Sequence, residues 1–251
     1  MIQIRNLEKS FTSPSGVHKV LDGVSFDIPA SSFTTIFGPN GCGKSTLVNI
    51  IAGLDRFDGG SISCNDGIKD TLGYVFQDYR RSLLPWYSVE ENILFPLCLR
   101  GIKSKEARTK LDKVLSLTGL EIDLKRPVFS LSGGQAQAVC ILRSLIINPK
   151  LLILDEPFAA LDYERTVALR RVISSVSKSL NLTVLFISHD LEEAIALGDQ
   201  VVFLSKGPTK VVEVLPVNLP YPRSIETTTS EEFLGIKQRA VKLFERCIGS
   251  G

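Results

Sequence analysis

The chain has 251 residues, 44% of them hydrophobic, which is enough for one large domain or for a domain with a subdomain. Its formal net charge at pH 7 is only +2, so the charge balance gives no indication of a nucleic-acid-binding protein. The first residues lack the pattern of a signal peptide, and no uninterrupted apolar stretch reaches the roughly 18 residues of a membrane span. We therefore expect any role at a membrane to depend on docking to another protein.

The cysteines indicate neither a zinc site nor a disulfide framework. They are five in number, an odd count, and they are scattered without a CxxC or His/Cys spacing. We expect free thiols, as in a reducing compartment. The cysteines are Cys42, Cys64, Cys98, Cys140 and Cys247.

The N-terminal part of the chain is predicted to be β-rich. Residues 2–4 alternate apolar and polar side chains, and residues 20–28 form a second β-rich stretch. Turn residues occur at 13–16 and at 22–23. We expect antiparallel strands here.

Residues 38–46, with the sequence GPNGCGKST, fit the pattern G-x-x-x-x-G-K-[ST]. They lie between a strand predicted at 33–37 and a helix predicted from Lys44 to about residue 53, a context that disfavours a chance match. Glycines let successive backbone N–H groups point at one anion, and the helix adds its positive end. Lys44 can reach the β- and γ-phosphates of a nucleotide, and the Ser45 hydroxyl can bind Mg²⁺. The predicted nucleotide-binding residues of this loop are Gly38, Pro39, Asn40, Gly41, Cys42, Gly43, Lys44, Ser45 and Thr46.

A helical insertion is predicted from about residue 80 to 148. Ser88 and Glu91 have the spacing of a capping box and start one helix. The apolar residues between 107 and 118 recur at helical spacing, and Gly119 is a natural end for that second helix.

An alternation of strands and helices then returns. Strands are predicted at 151–154, 183–187 and 201–204, and the short apolar run of the first suits a parallel sheet buried on both faces. A helix at 191–197 is expected to end at Gly198. After these elements come a proline-stiffened loop at residues 219–224 and an amphipathic helix at residues 231–247.

Three polar side chains follow predicted parallel strands. Asp155 stands at the carboxyl end of the strand Leu151–Leu154, where a nucleotide-bound Mg²⁺ would need an acidic ligand. Glu156 comes next and can act as general base on the attacking water. His189 follows the strand 183–187 and is interpreted as a γ-phosphate sensor. The alternatives are a surface turn for the carboxylates and a structural role for the histidine.

The sequence Leu-Ser-Gly-Gly-Gln at residues 131–135 resembles the signature of ATP-binding cassette (ABC) ATPases, and it precedes Asp155 by about 20 residues, as in that family. By this resemblance Phe11 stacks on adenine. Gln77 senses Mg²⁺ and the transporter, and it counts as both a catalytic and a metal-binding residue. Asp162 belongs to a loop, Ala159–Asp162, that crosses to the partner subunit.

The resemblance covers about residues 2–215 and implies a P-loop NTPase core with a parallel sheet, an N-terminal antiparallel β subdomain and the α-helical subdomain at about 80–148. Residues 216–251 are then a short C-terminal extension. The family uses ATP and Mg²⁺ as a head-to-tail homodimer, in which Ser132, Gly133, Gly134 and Gln135 of one subunit close on the nucleotide of the other.

The resemblance also implies partners. Such a subunit lies on the cytoplasmic face of the inner membrane, bound peripherally to integral-membrane permease subunits, and it acts indirectly with a solute-binding protein and without nucleic acid. Residues 82–92 and 219–223 resemble segments of importers for nitrate, sulfonate, taurine, bicarbonate and thiamine precursors. Within the first segment, Trp86 either docks the permease or is a buried subdomain aromatic. In this group Cys42 is a packing residue.

One departure concerns Ala136 and Ala138, where the family usually has Arg. Residues two apart on a helix point about 200° from each other, so we expect at most one to face the dimer seam and the other to face the subdomain surface. On this reading, arginine at both positions would raise the ATPase rate. Two alternatives to an importer subunit remain: a soluble ABC ATPase of translation or DNA repair, and a simple P-loop kinase, which the signature disfavours.

Overall fold

The structure, a computed structural model, describes residues 1–14, 16–64, 71–159, 161–223 and 225–249. Its strands are β1 (Ile2–Ser13), β2 (Gly16–Ile28), β3 (Phe33–Phe37), β4 (Gly59–Cys64), β5 (Leu72–Val75), β6 (Leu151–Asp155), β7 (Thr183–Ile187), β8 (Gln200–Leu204) and β9 (Val211–Pro216). Its α-helices are α1 (Lys44–Ile51), α2 (Tyr79–Ser82), α3 (Val89–Leu99), α4 (Ser104–Thr118), α5 (Gly133–Leu145), α6 (Tyr163–Ser179), α7 (Leu191–Leu197), α8 (Ile225–Thr228) and α9 (Glu231–Gly249).

The chain divides into two compact units. The first comprises Met1–Asp70 and Thr183–Gly251, and the second comprises Thr71–Leu182. The predicted domain bounds, with a subdomain at about 80–148 and an extension from 216, stay predictions.

The first unit begins with an antiparallel sheet in the strand order β2, β1, β4. Ser13 pairs with Gly16 at the end of the β1–β2 hairpin, as expected for the turn at 13–16, although Ser15 lies outside the described residues. The alternation of buried and half-buried residues at the start of β1 places Ile2 and Ile4 in the core. The antiparallel strands predicted for the N-terminal region are therefore present.

The turn predicted at residues 22–23 is wrong. Strand β2 continues through this dipeptide, and the pairing register with β1 shifts between Leu7 and Lys9. Gly23 has φ 72°, a left-handed conformation that glycine adopts at little cost. The Asp22–Gly23 pair therefore marks a β-bulge inside a long strand.

The first unit also contains β3, which pairs in parallel with β7 on one side and β8 on the other, while β9 pairs antiparallel with β8. Every residue of β3 and β7 is buried, as expected for central strands of a parallel sheet that is covered on both faces. These pairings confirm the strands predicted at 33–37, 183–187 and 201–204.

The C-terminal helix α9 packs on this parallel sheet. The ring of Phe244 lies 5.1 Å, centroid to centroid, from that of Phe37, which in turn lies 5.7 Å from that of Phe203. Phe233 and Leu243 of α9 are buried in the same cluster. The amphipathic helix predicted at 231–247 is confirmed, and it supports the strand that leads into the glycine loop.

The second unit combines a parallel pair of strands, β5 and β6, with helices α2 to α6. Ser88 and Glu91 form the predicted capping box at the start of α3, and Gly119 ends α4 with φ 62°. Strand β6 is buried throughout, so its last residue, Asp155, is a carboxylate at the end of an apolar run.

Candidate phosphate-binding and hydrolysis site

The glycine loop of the first unit joins β3 to α1. Gly41 and Gly43 have φ values of 73° and 105°, in the left-handed region. A Cβ added at Gly43 would also lie 2.7 Å from Cγ1 of Val20. Both backbone conformation and space therefore require glycine at position 43.

Lys44 is the buried cation of this loop, with 6% of the residue exposed. Its Nζ donates to the carbonyl oxygens of Gly38 at 2.9 Å and Pro39 at 3.1 Å. The next residue, Ser45, is exposed on the first turn of α1. The loop thus presents an ammonium group, a hydroxyl and a helix N-terminus together, which suits a phosphate chain.

Cys42 contributes packing to the loop. It is 2% exposed, and its carbonyl accepts a hydrogen bond from Thr209 Oγ1. Burial raises the pKa of the Cys42 thiol despite the nearby ammonium of Lys44. A buried thiol with a raised pKa is a poor nucleophile, in agreement with the packing role.

The first unit also contains His189 and Phe11. His189 is exposed between β7 and α7. Phe11 is 44% exposed on β1, and Lys9 Nζ lies 4.8 Å from its ring centroid. Lys9 also bonds to Asp55 at 2.9 Å, so the cation is fixed beside the aromatic face that the resemblance assigns to adenine.

Asp155 and Glu156 belong to the second unit, at the end of β6. Asp155 is 6% exposed. Burial, then the charge of Asp155 and a hydrogen bond to it, raise the pKa of the Tyr74 hydroxyl on the neighbouring strand β5. Tyr74 therefore orients the candidate metal ligand, a contact that sequence spacing does not reveal.

Glu156 has a strained backbone, with φ 45° in the left-handed region that a non-glycine residue rarely adopts. Its Oε2 accepts a hydrogen bond of 3.0 Å from Gln77 Nε2. Two residues predicted from separate arguments are thus brought together in one unit, 79 positions apart in the chain.

The signature forms the N-terminus of α5. Ser132 is the N-cap. Its hydroxyl accepts the Gln135 amide at 3.4 Å, while Gln135 Oε1 accepts the Ser132 amide at 3.1 Å. A Cβ added at Gly134 would meet Cδ of Arg165 at 2.7 Å. Arg165 donates its backbone N–H to Asp162 at 3.0 Å, so this arginine, which sequence reasoning missed, lies between the signature and the predicted crossing loop. Ala160 of that loop lies outside the described residues.

The sequence match to a known family agrees with this geometry. The family model described as ABC transporter matches residues 21–159, which is more than half of the chain. The chain belongs to the ABC transporter family.

Relatives of this ABC ATPase extend over nearly the whole chain. It is 37% identical to the aliphatic sulfonates import ATP-binding protein SsuB of Bacillus cereus, over 98% of this chain and 96% of that protein. The SsuB of Bacillus subtilis is also 37% identical, over 95% and 92%. An uncharacterized ABC transporter ATP-binding protein of Methanocaldococcus jannaschii is 34% identical, over 97% and 91%. The family resemblance is confirmed.

Solved structures support the fold and the ATPase assignment. The dimeric structure of MJ0796, a bacterial ABC transporter cassette, matches with a TM-score of 0.77 and 27% identity, over 88% of this chain and all of that one. A dimeric post-hydrolysis state of MJ0796 bound to ADP and Pi matches with a TM-score of 0.78 and 26% identity, with the same coverage of 88% and 100%. The predicted fold class is confirmed.

The expectation for Ala136 and Ala138 needs correction. They are 1% and 8% exposed, so neither faces the surface of the subdomain. The reason is that α5 is buried on almost every side after its first turn. Arginine at both positions would place two guanidinium groups among apolar residues of α5, which removes the reason to expect a faster ATPase.

Proposed function

We propose that this ABC ATPase is the ATP-hydrolysing subunit of an importer and couples MgATP turnover in a homodimer to transport by membrane permease subunits. The observation that carries the proposal is the hydrogen bond from Gln77 to Glu156. It joins the candidate general base to the segment where the family docks its permease, so a movement at the docking site can change the orientation of the base.

The chemistry assigned to the chain is in-line attack of water on the γ-phosphate. Lys44 holds the β- and γ-phosphates, since its ammonium already lies inside the loop. The Glu156 carboxylate takes a proton from the attacking water as the new P–O bond forms. The bond from the γ-phosphorus to the β–γ bridging oxygen breaks, and ADP leaves while the attacked group becomes inorganic phosphate. His189 donates a hydrogen bond to the γ-phosphate and so keeps it in line.

The candidate metal ligands fit Mg²⁺. Ser45 offers a hydroxyl, Gln77 an amide oxygen and Asp155 a carboxylate, and Mg²⁺ prefers such oxygen donors. Asp155 is further oriented by Tyr74. When bound, Mg²⁺ supplies neutralisation of charge on the phosphates.

The proposed dimer is head-to-tail. The Ser132 hydroxyl and the N–H groups at the start of α5 would bind the γ-phosphate held by the partner copy, because a helix N-terminus attracts anions. Asp162 would lie at the same seam. ATP binding would close the dimer and hydrolysis would open it.

Transport is proposed from the relatives, two of which are named as import proteins for aliphatic sulfonates. Aliphatic sulfonates are therefore the first substrates to test, with a solute-binding protein as indirect partner. Among the described residues no helix has the length and apolar character needed to cross a bilayer. We place the subunit at the cytoplasmic face of the membrane, held there by its permease.

The contact with the permease is assigned to Trp86. This side chain is 72% exposed, so the alternative of a buried subdomain aromatic is wrong. A large exposed aromatic is typical of a binding hot spot.

The test is sulfonate uptake by cells that express the ATPase with its candidate permease and binding protein. Trp86→Ala should lower uptake by about tenfold or more, as loss of a hot-spot aromatic does, and leave the ATPase rate of the isolated subunit unchanged. Phe129→Ala is the matched control, since Phe129 is 76% exposed in the same unit. Equal losses of uptake and ATPase activity would contradict the docking role. A protein that purifies without any membrane partner and supports no uptake would favour the soluble ABC ATPase.

A further inference from the structure

The helix that follows His189 is too short to be stable by itself. Helix α7 has seven residues, about two turns, and isolated helices of this length do not persist in water. Its last four carbonyl groups have no partners within the helix. The position of His189 therefore depends on how the two ends of α7 are held.

The N-terminal end is held by residues on both sides of His189. The Asp190 side chain accepts the Glu193 amide at 3.0 Å as an N-cap. Ser188 Oγ donates to Glu193 Oε2 at 2.7 Å and accepts the Asp190 amide at 2.9 Å. His189 is thus flanked by two bonded neighbours, and it will move when α7 moves.

The C-terminal end is held by the extension, in the loop predicted at 219–224, of which Ser224 lies outside the described residues. Arg223 Nη1 donates to the carbonyl oxygens of Gly198 at 2.6 Å, Ile195 at 2.9 Å and Ala196 at 3.3 Å. The Tyr221 hydroxyl donates to Leu197 at 2.8 Å. Side chains from beyond the helix therefore occupy the carbonyl groups that α7 leaves open.

The Arg223 side chain is only 3% exposed. Burial lowers the pKa of its guanidinium, and a buried cation is costly unless several acceptors surround it. Those acceptors are the α7 carbonyls, the carbonyls of Val217 and Leu219 at 3.3 Å, and Asp199 at 3.7 Å. A positive charge here also interacts favourably with the negative, C-terminal end of the helix dipole.

Asp199 and helix α7 also form hydrogen bonds with β3, the strand before the phosphate loop. Asp199 Oδ2 accepts the Phe33 amide at 2.8 Å, and Thr35 Oγ1 donates to the Ala194 carbonyl at 3.2 Å. Helix α7 is therefore fixed to β3 as well as to the extension. A planar guanidinium can serve several carbonyls at once, whereas a lysine ammonium cannot reproduce that fork.

We propose that Tyr221 and Arg223 form a cap on α7 that positions His189 for the γ-phosphate. The proposal rests on the role proposed above for His189. It gives the C-terminal extension a function in hydrolysis: Arg223 and Tyr221 are positioning residues that touch no substrate. Loosening the cap should impair the hydrolysis step, which needs His189 in place, more than ATP binding, which depends on the phosphate loop.

The test measures MgATP hydrolysis by the full chain with Arg223→Met, Arg223→Lys and Tyr221→Phe. Misplacement of a catalytic group by about 1 Å can cost up to roughly 100-fold in rate. We expect Arg223→Met to lower kcat by about tenfold or more with KM changed less than about threefold, and Arg223→Lys to restore part of kcat. Hydrogen exchange at the amides of α7 should be faster than in the wild type in both variants, and faster in Arg223→Met than in Arg223→Lys. Arg246→Met is the control, since Arg246 is an exposed arginine of α9.

A double-mutant cycle separates this proposal from a general loss of stability. In single-turnover assays with radiolabelled ATP, Arg223→Met should cause little further loss in a His189→Ala background, because the cap acts through His189. Equal fractional losses in both backgrounds, or an unchanged kcat in Arg223→Met, would overturn the cap while leaving the role of His189 intact. Wild-type turnover by His189→Ala alone would overturn that role, and the cap with it. If Arg223→Met fails to fold, Tyr221→Phe decides the question, since it removes one hydroxyl: a normal kcat with normal exchange in α7 would count against the cap.

Discussion

Lys44 is a buried cation whose hydrogen bonds go to the carbonyls of its own loop, Gly38 and Pro39. Replacing it with alanine removes the positive charge that the β- and γ-phosphates require. We expect Lys44→Ala to abolish measurable hydrolysis and to weaken ATP binding by about tenfold or more, as expected for loss of a charge-assisted contact. Lys206→Ala, at an exposed position of the same unit, is the control. Normal turnover in Lys44→Ala would contradict the assignment of the loop.

Gln137, unlike Lys44, is a buried polar residue whose side chain has no hydrogen-bond partner among the described residues. It is fully buried in α5, and neither atom of its side-chain amide has a hydrogen-bond partner among the described residues. Such a group costs about 1–3 kcal/mol. Gln137→Met, similar in size, should therefore raise the free energy of unfolding by about 1 kcal/mol and the melting temperature by roughly 2–4 °C.

The control for Gln137→Met is Gln238→Met on the exposed face of α9, where the same exchange should leave the melting temperature unchanged. A lower melting temperature for Gln137→Met would show that the amide is satisfied in solution. Normal stability with reduced ATPase activity would point instead to a role of Gln137 in hydrolysis.

The sequence predicted those site residues whose role follows from local geometry. The spacing of Gly38, Gly43 and Lys44 encodes a phosphate loop within a few residues, and Asp155 stands out as a carboxylate at the end of an apolar strand. Tyr74 and Arg165 could not be found in this way. Their contacts depend on which elements become neighbours after folding, and neither residue lies in a local pattern.

Among the helices, replacement of two glycines by alanine should change the free energy of unfolding in opposite directions. Gly119 ends α4 with φ 62°, whereas Gly235 lies in α9 without positive φ, and neither has an atom within 4 Å of an added Cβ. Gly119→Ala should destabilise by about 1 kcal/mol, because alanine is strained in the left-handed region. Gly235→Ala should stabilise by about 0.5–1 kcal/mol through helix propensity.

Thermal unfolding of the two single variants measures both effects, and the sign of each shift is the readout. A stabilising Gly119→Ala would mean that α4 does not end in a left-handed residue. A destabilising Gly235→Ala would mean that the exposed face of α9 is covered by something in solution.

Helices with local end signals were predicted well, as Ser88 and Gly119 show. The error at Asp22–Gly23 arose because the same dipeptide suits a turn and a bulge, and only pairing with β1 decides between them. The environment of α5 was missed for a related reason: helical periodicity gives the relative direction of Ala136 and Ala138 but not how many neighbours surround the helix.

For the whole molecule, we predict a change of oligomeric state that depends on the bound nucleotide. In the proposed head-to-tail dimer, one copy would supply the phosphate loop and the other would supply Ser132 and its helix N-terminus, so each site would need two chains. If hydrolysis opens the dimer, blocking hydrolysis should preserve it. The residue to change is Glu156. Glutamine has nearly the same size, and its side-chain oxygen can still accept the hydrogen bond from Gln77.

The composite site is tested most directly by the mass of Glu156→Gln in solution, measured by gel filtration with light scattering in MgATP and in MgADP. We predict a dimer in MgATP, a monomer in MgADP, and no hydrolysis. Adding Ser132→Arg should abolish the dimer while ATP binding to the monomer persists, because the bulky cation blocks the seam and leaves the phosphate loop intact. A Glu156→Gln protein that stays monomeric at saturating MgATP and still turns over would contradict both the assigned base and the composite site.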